Sequence, residues 1–196
     1  IRRAVSLSRV PADGYPSRFF EVELEGVVRL RSDKLMSPMA IGEYLAQVAP
    51  LPFAPDFPFG AQIRDALVPV QKLDSFDLQI SGIDGPIYRP HRRGFVNEKR
   101  QGTFEEVEMF TIPDVDGEPA AVGWLLHHEY DGAVPTGTGI KGVRLRVGNV
   151  QIGGNALLEE LFTEPRFNSW SIGEVHILDR RIIPNARRDD FEQNAH

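Results

Sequence analysis

The stretch Asn185-Ala-Arg-Arg-Asp-Asp-Phe-Glu192 sets two adjacent arginines just after Pro184. A guanidinium is planar, permanently charged and matched in shape to phosphate and carboxylate oxygens, so Arg187 and Arg188 are candidate anion contacts. The pattern predicts a short helix over 187–193, with Asp189 and Asp190 complementing its dipole. Those acids also offer a second account, in which both arginines are engaged in local ion pairs. Arg180 and Arg181 extend this basic group. A separate one, Arg89, Arg92, Arg93, Lys99 and Arg100, reads as a solvated loop balanced by Glu105, Glu106 and Glu108, with a phosphate-binding surface as the alternative.

Other constellations are weaker. Gly137-Thr-Gly-Ile-Lys-Gly142 matches a dinucleotide-binding glycine pattern, but it precedes a strand, whereas a phosphate cradle joins a strand to a helix. It reads as a turn. His127-His128-Glu129 lies on a predicted strand, where neighbouring side chains point to opposite faces, so no metal centre is expected there. The chain has no cysteine and no Gly-x-Ser-x-Gly elbow, which removes thiol chemistry and the usual serine hydrolase arrangement.

The elements that must position these residues follow from pattern. Residues 19–31 alternate apolar and charged side chains as a half-buried strand does. Ser37-Pro38 reads as an N-cap with proline at the first helical position, opening a helix that Pro50 ends. Four prolines between Pro50 and Phe59 forbid regular structure, yet Leu51, Phe53, Phe57 and Phe59 are too apolar for a free linker. That segment is expected to pack, extended, on a neighbour.

One or two helical turns over 61–68, a strand over 76–81 and a turn over 82–86 come next. A hairpin pairs 105–113 with 120–130. Residues 141–152 form the clearest strand, in which Val143, Leu145 and Val147 alternate with Arg144 and Arg146, with a kink or bulge at Gly148-Asn149. A capped helix over 155–162 and a strand over 173–178 complete the reading. Val143, Leu145, Val147, Ile152, Leu158, Leu161, Phe162, Val175 and Ile177 are expected on one apolar side.

With 41% hydrophobic residues in 196, the chain can fill a core, and its net charge of -6 argues against a wholly nucleic-acid-binding surface. No run reaches the roughly 20 apolar residues of a membrane helix, and the absence of cysteine suits a reducing compartment. A cytoplasmic α+β segment of a larger chain is expected, with neighbours on both sides.

The last third resembles a group of large bacterial ATP-binding proteins whose N-terminal domain is of the GHKL ATPase type found in heat-shock-90 chaperones. The resemblance is carried by Gly142 to Gly153, Glu164 to Asp179 and Ile183 to Glu192, and more weakly by Phe19 to Phe59. The superfamily's ATP-pocket motifs do not occur here as a set. The resemblance therefore implies the middle or transducer segment, a mixed sheet with packed helices in an α/β sandwich of the chaperone middle-domain type. On that basis 1–59 form the exit strand, helix and Pro-rich segment after an ATPase domain, and 60–196 the middle domain.

The resemblance also implies roles. Asn185, Arg188 and Asp189 match a chaperone motif whose arginine reaches the terminal phosphate of ATP in the neighbouring domain, with Arg187 as rival to Arg188. Asn185 and Glu192 are the implied nucleotide-side contacts, although Glu192 stands where the chaperones have glutamine, which replaces amide donors by negative charge. No cofactor is expected in this chain itself and ATP with Mg in the longer protein; the expected partner is the upstream ATPase domain, with a client protein and a dimer compatible with that family. The competing classes are a non-catalytic protein-interaction module and a nucleic-acid-binding transducer domain.

Overall fold

The computed structural model describes residues 34–97 and 100–193, the side chains of Asn97 and Arg100 excepted, together with 14, 22, 23, 25, 26 and 28. Lys99 and most of the strand expected over 19–31 lie outside the described residues, and the described ones, 22, 23, 25, 26 and 28, belong to no strand. The chain divides into two compact units, Ile1–Asp33 and Lys34–His196. The second is α+β and holds every element below.

Helix α1, Pro38–Val48, starts as its sequence predicts: the Ser37 side chain accepts from the Ala40 backbone N–H, and proline occupies the first turn. Pro50 to Phe59 then runs without regular structure and packs inward, with Leu51 2% and Phe57 4% exposed. Its carbonyls are used: Pro50 O accepts from Phe76 N–H and Pro52 O from Arg89 N–H, each at 3.0 Å. Helix α2, Gly60–Leu67, buries Ile63 and Leu67.

Six strands follow: β1 Gly94–Asn97, β2 Arg100–Pro113, β3 Pro119–His128, β4 Gly142–Val147, β5 Val150–Ile152 and β6 Ile172–Ile177. They form one mixed sheet in the order β1-β2-β3-β6-β4-β5, antiparallel throughout except between β4 and β6. The hairpin expected over 105–113 and 120–130 is β2–β3. The last strand in sequence, β6, is inserted between β3 and β4.

Alternation sorts the side chains into two layers. Ala121, Val143, Leu145 and Val175 share one face with Phe110, Leu158, Phe162 and Phe191. Val122, Trp124, Leu126 and Ile172 pack on the other with Phe57, Ile63 and Leu67 from the preceding segments. The apolar side expected for β4 and β6 is thus observed, except that Leu161 is 79% exposed.

Several local expectations differ. Gly148-Asn149 is not a kink in a long strand but the two-residue turn of a hairpin: both residues have positive φ (55° and 68°), and Val147 faces Val150 across it. Positive φ at both central positions is the mirror-image turn whose twist suits a two-residue hairpin. In place of a helix over 155–162 there are turns over 155–158 and a 3-10 turn at Glu159–Leu161. Residues 76–81 contribute a single bridge, Leu78 to Ile87. Residues 187–193 form no helix, for reasons that belong to the site.

Candidate functional site

The loop 184–191 closes on itself. Pro184 and Phe191 form an antiparallel bridge, Asn185 N–H donates to Asp190 O at 2.9 Å, and Glu192 N–H donates to Ile183 O at 2.8 Å. Inside it, the Asn185 amide donates to Asp189 Oδ1 at 2.7 Å and accepts from Asp189 N–H at 3.3 Å. A side chain that satisfies the backbone in this way competes with helix formation, and here it wins. The Arg188 N–H closes a turn on Asn185 O at 3.0 Å, and Arg188 itself takes φ +57°, which no α-helix accommodates.

The loop is rooted in the sheet. Arg188 O accepts from Gly153 N–H at 2.9 Å just beyond β5, and Phe191 packs on the β4–β6 apolar face. The two arginines then part ways. Arg187 pairs with Asp189 at 3.2 Å while 86% exposed, a pairing worth little in water. Arg188 is exposed, and its guanidinium has no hydrogen bond or ion pair among the described residues. Asn185 is committed to holding the loop, and the exposed Glu192 contributes its backbone N–H. Arg181 is engaged by Asp179 and Asp114 at 2.7 and 3.0 Å.

A second constellation lies on the opposite face of the sheet, and sequence reasoning missed it. Arg144 and Arg146, which alternation alone would place in solvent, are 6% and 1% exposed, and Arg89, read as part of a solvated loop, is 3% exposed. Register explains the burial: Arg144 lies beside Glu174 and Arg146 beside His176 on adjacent β6. Glu174, fully buried, receives Arg146 Nε on one oxygen at 2.6 Å and Arg89 Nη1 on the other at 2.5 Å. Arg146 also donates to Asn149 O and to Gln47 O of α1, both at 2.9 Å. Arg89 donates to Leu51 O at 2.8 Å and to Asn149 Oδ1. Arg144 meets only neutral acceptors: Gln151 Oε1 at 2.9 Å, Gln47 Oε1 at 3.1 Å and Lys141 O at 3.3 Å.

Three buried guanidinia thus lie around one buried carboxylate, and two of them, Arg89 and Arg146, bond it. Burial, reinforced by Arg146 for Arg89, lowers the pKa of Arg89 and Arg144 to about 10, which leaves both charged at neutral pH. Burial would raise the Glu174 carboxyl, but Arg146 and Arg89 outweigh it and hold it well below its ordinary range. His176 accepts at Nδ1 from the Gln71 side-chain amide at 2.6 Å, and its Nε2 lies 3.4 Å from Glu174 Oε2 without hydrogen-bonding it. Burial keeps it neutral. His91 lies among the rings of Phe53, Phe57 and Trp124, with centroids 5.2–5.5 Å away, and burial pushes its pKa down to about 3.

Of the remaining sequence candidates, His127 pairs with Glu108 at 2.8 Å while His128 is buried and bonds the Trp170 carbonyl, so the two diverge as expected. Among the described residues no group of three metal-ligating side chains comes together. The glycines of 137–142 surround a 3-10 turn at Thr136–Thr138, ahead of β4. No helix among the described residues is long and apolar enough to cross a membrane. Comparison with family models, curated proteins and solved structures found no match.

Proposed function

We propose that this chain is the middle, transducer-type segment of a heat-shock-90-like GHKL ATPase, coupling the nucleotide state of a preceding ATP-binding domain to a change in conformation. The observation that carries the reading is Arg188, whose guanidinium, uncommitted among the described residues, stands on a tight loop anchored to the sheet at Gly153 and Phe191. Phosphoryl transfer responds to positioning and charge stabilisation, and an arginine delivered by domain closure raises turnover by about 10³ to 10⁵ where it completes a site. Such a group must be exposed before docking and must not be neutralised by its own neighbours. Arg187, paired with Asp189, satisfies the second condition less well. Asn185 acts in this reading as the residue that fixes the loop. A mixed α+β sheet suits a middle domain, and its tie to the loop gives docking a path into β5 and β4.

In the longer ATP-binding protein, Arg188→Ala is expected to lower turnover at least about tenfold, roughly 1.4 kcal/mol of transition-state stabilisation, with little change in nucleotide affinity. Equal turnover in Arg188→Ala and parent would remove the proposed role. The chain alone is expected to show no nucleotide binding by calorimetry; micromolar affinity for ATP would contradict the middle-segment reading.

A further inference from the structure

A cleft of about 480 Å3 opens beside the buried cationic network, between the Pro-rich segment, α2 and the 73–75 loop. Its walls are largely apolar, from Leu51, Phe53, Phe57 and Leu73, and its rim carries the exposed Ala61 and Arg64. Two of its lining residues are different in kind: Arg89 and Asn149, 3% and 2% exposed. An apolar cleft with a few convergent polar groups is the usual form of a small-molecule site.

The charge at its base selects the ligand. Arg89, Arg144 and Arg146 bring three positive charges into the interior and Glu174 returns one negative charge, so the network has a surplus of two. Arg89 has five N–H groups and uses three, on Leu51 O, Glu174 and Asn149. The Phe53 ring lies 4.6 Å from its guanidinium carbon and covers one face, and one N–H on each terminal nitrogen has no hydrogen-bond partner among the described residues. Arg64 at the rim holds only Asp65, in a pair whose side chains are 63% and 71% exposed. A charge surplus of this kind favours an anion over a neutral or cationic guest, and the low surrounding polarity strengthens that preference.

We propose that this cleft binds a small molecule with an apolar, ring-sized body and one anionic head, carboxylate or phosphate, seated against Arg89. The site is independent of Arg188: it lies on the opposite face of the sheet, and either reading can fail alone.

The test uses anilinonaphthalene sulfonate, an aromatic anion that fluoresces when bound, with uncharged N-phenylnaphthylamine as its neutral counterpart. On the full chain the anion is expected to bind saturably with one-to-one stoichiometry, at least about tenfold more tightly than the neutral dye. Naphthoate and naphthyl phosphate serve as competitors; whichever displaces the dye better identifies the head group. Ala61→Trp, at an exposed rim position, should block the cleft and abolish binding, while Arg64→Glu should weaken the anion several-fold and leave the neutral dye unchanged. Both substitutions are on the surface, so unchanged urea midpoints establish that the fold is intact. Equal affinity for the two dyes, displacement by neither competitor, or binding that survives Ala61→Trp would each overturn the proposal.

Discussion

Glu174→Gln probes the buried network directly. In the parent, each carboxylate oxygen receives one guanidinium, Arg146 at 2.6 Å and Arg89 at 2.5 Å, with no exposure to water. Glutamine keeps the shape but offers one oxygen and one NH2 group, so one guanidinium would face a donor. It also removes the one carboxylate that, among the described residues, meets this cluster of three buried cations. Breaking a buried pair by removing one partner costs about 3–5 kcal/mol, comparable to much of the 5–15 kcal/mol that holds a typical domain together. For a chain of this size that is a fall in Tm of roughly 6–20 °C. Urea unfolding at pH 7.5, followed by fluorescence of buried Trp124, measures it. The matched control is Arg144→Met, which deletes a cation that meets no carboxylate and should cost less, about 1–2 kcal/mol. If Glu174→Gln stays within about 0.5 kcal/mol of the parent, or if Arg144→Met is the more damaging change, the charge argument is wrong.

Acid should act through His91, which must be neutral in the fold (pKa about 3) and charges near 6.5 when unfolded. Protonation then favours the unfolded chain, so this contribution is complete above pH 6.5 and shrinks as pH falls towards 3, by about 2 kcal/mol at pH 5. His91→Phe should flatten the pH dependence of the urea midpoint by that amount; an unchanged profile would assign the effect elsewhere. Arg188→Gly relieves a left-handed φ and should leave stability unchanged or raise it by about 1 kcal/mol, while, on the proposed transducer reading, lowering turnover in the longer ATP-binding protein at least about tenfold. Loss of stability in a melting curve would show that Arg188 is structural. Asn185→Ala unties the Asp189 contacts and, on the proposed transducer reading, should lower turnover in the longer ATP-binding protein while changing the unfolding free energy by no more than about 1 kcal/mol; equal turnover would mean that the loop needs no such clamp.

What could be read from the sequence was what neighbouring residues determine. Ser37 and Pro38 announce α1, and the alternation of Val143, Leu145 and Val147 announces β4 and its apolar face. The burial of Arg144 and Arg146 is not local. It depends on Glu174, Gln47 and Asn149, supplied by β6, α1 and a turn, and a period-2 pattern with charges on one side gives no hint of them. Arg89 was hidden for the same reason, its carboxylate being 85 residues away in sequence. Gly148-Asn149 did carry a usable signal, since a Gly-Asn pair between two valines is a hairpin pattern. At Arg187 and Arg188 the acids that suit a helix start were legible, but the Asn185 side chain closes the backbone first.

The insertion of β6 between β3 and β4 governs how the chain can be made. A ribosome that has released residues up to Ile152 has delivered β3 and β4 but not the strand that joins them, so each presents an unpaired edge. Neither edge can be closed before Ile172 to Ile177 emerge, some twenty residues later. Until then the nascent polypeptide also holds Arg146 and Arg89 without their carboxylate. The interval is one in which strand-to-strand association with another chain competes with correct closure, and truncation ahead of β6 would make that exposure permanent.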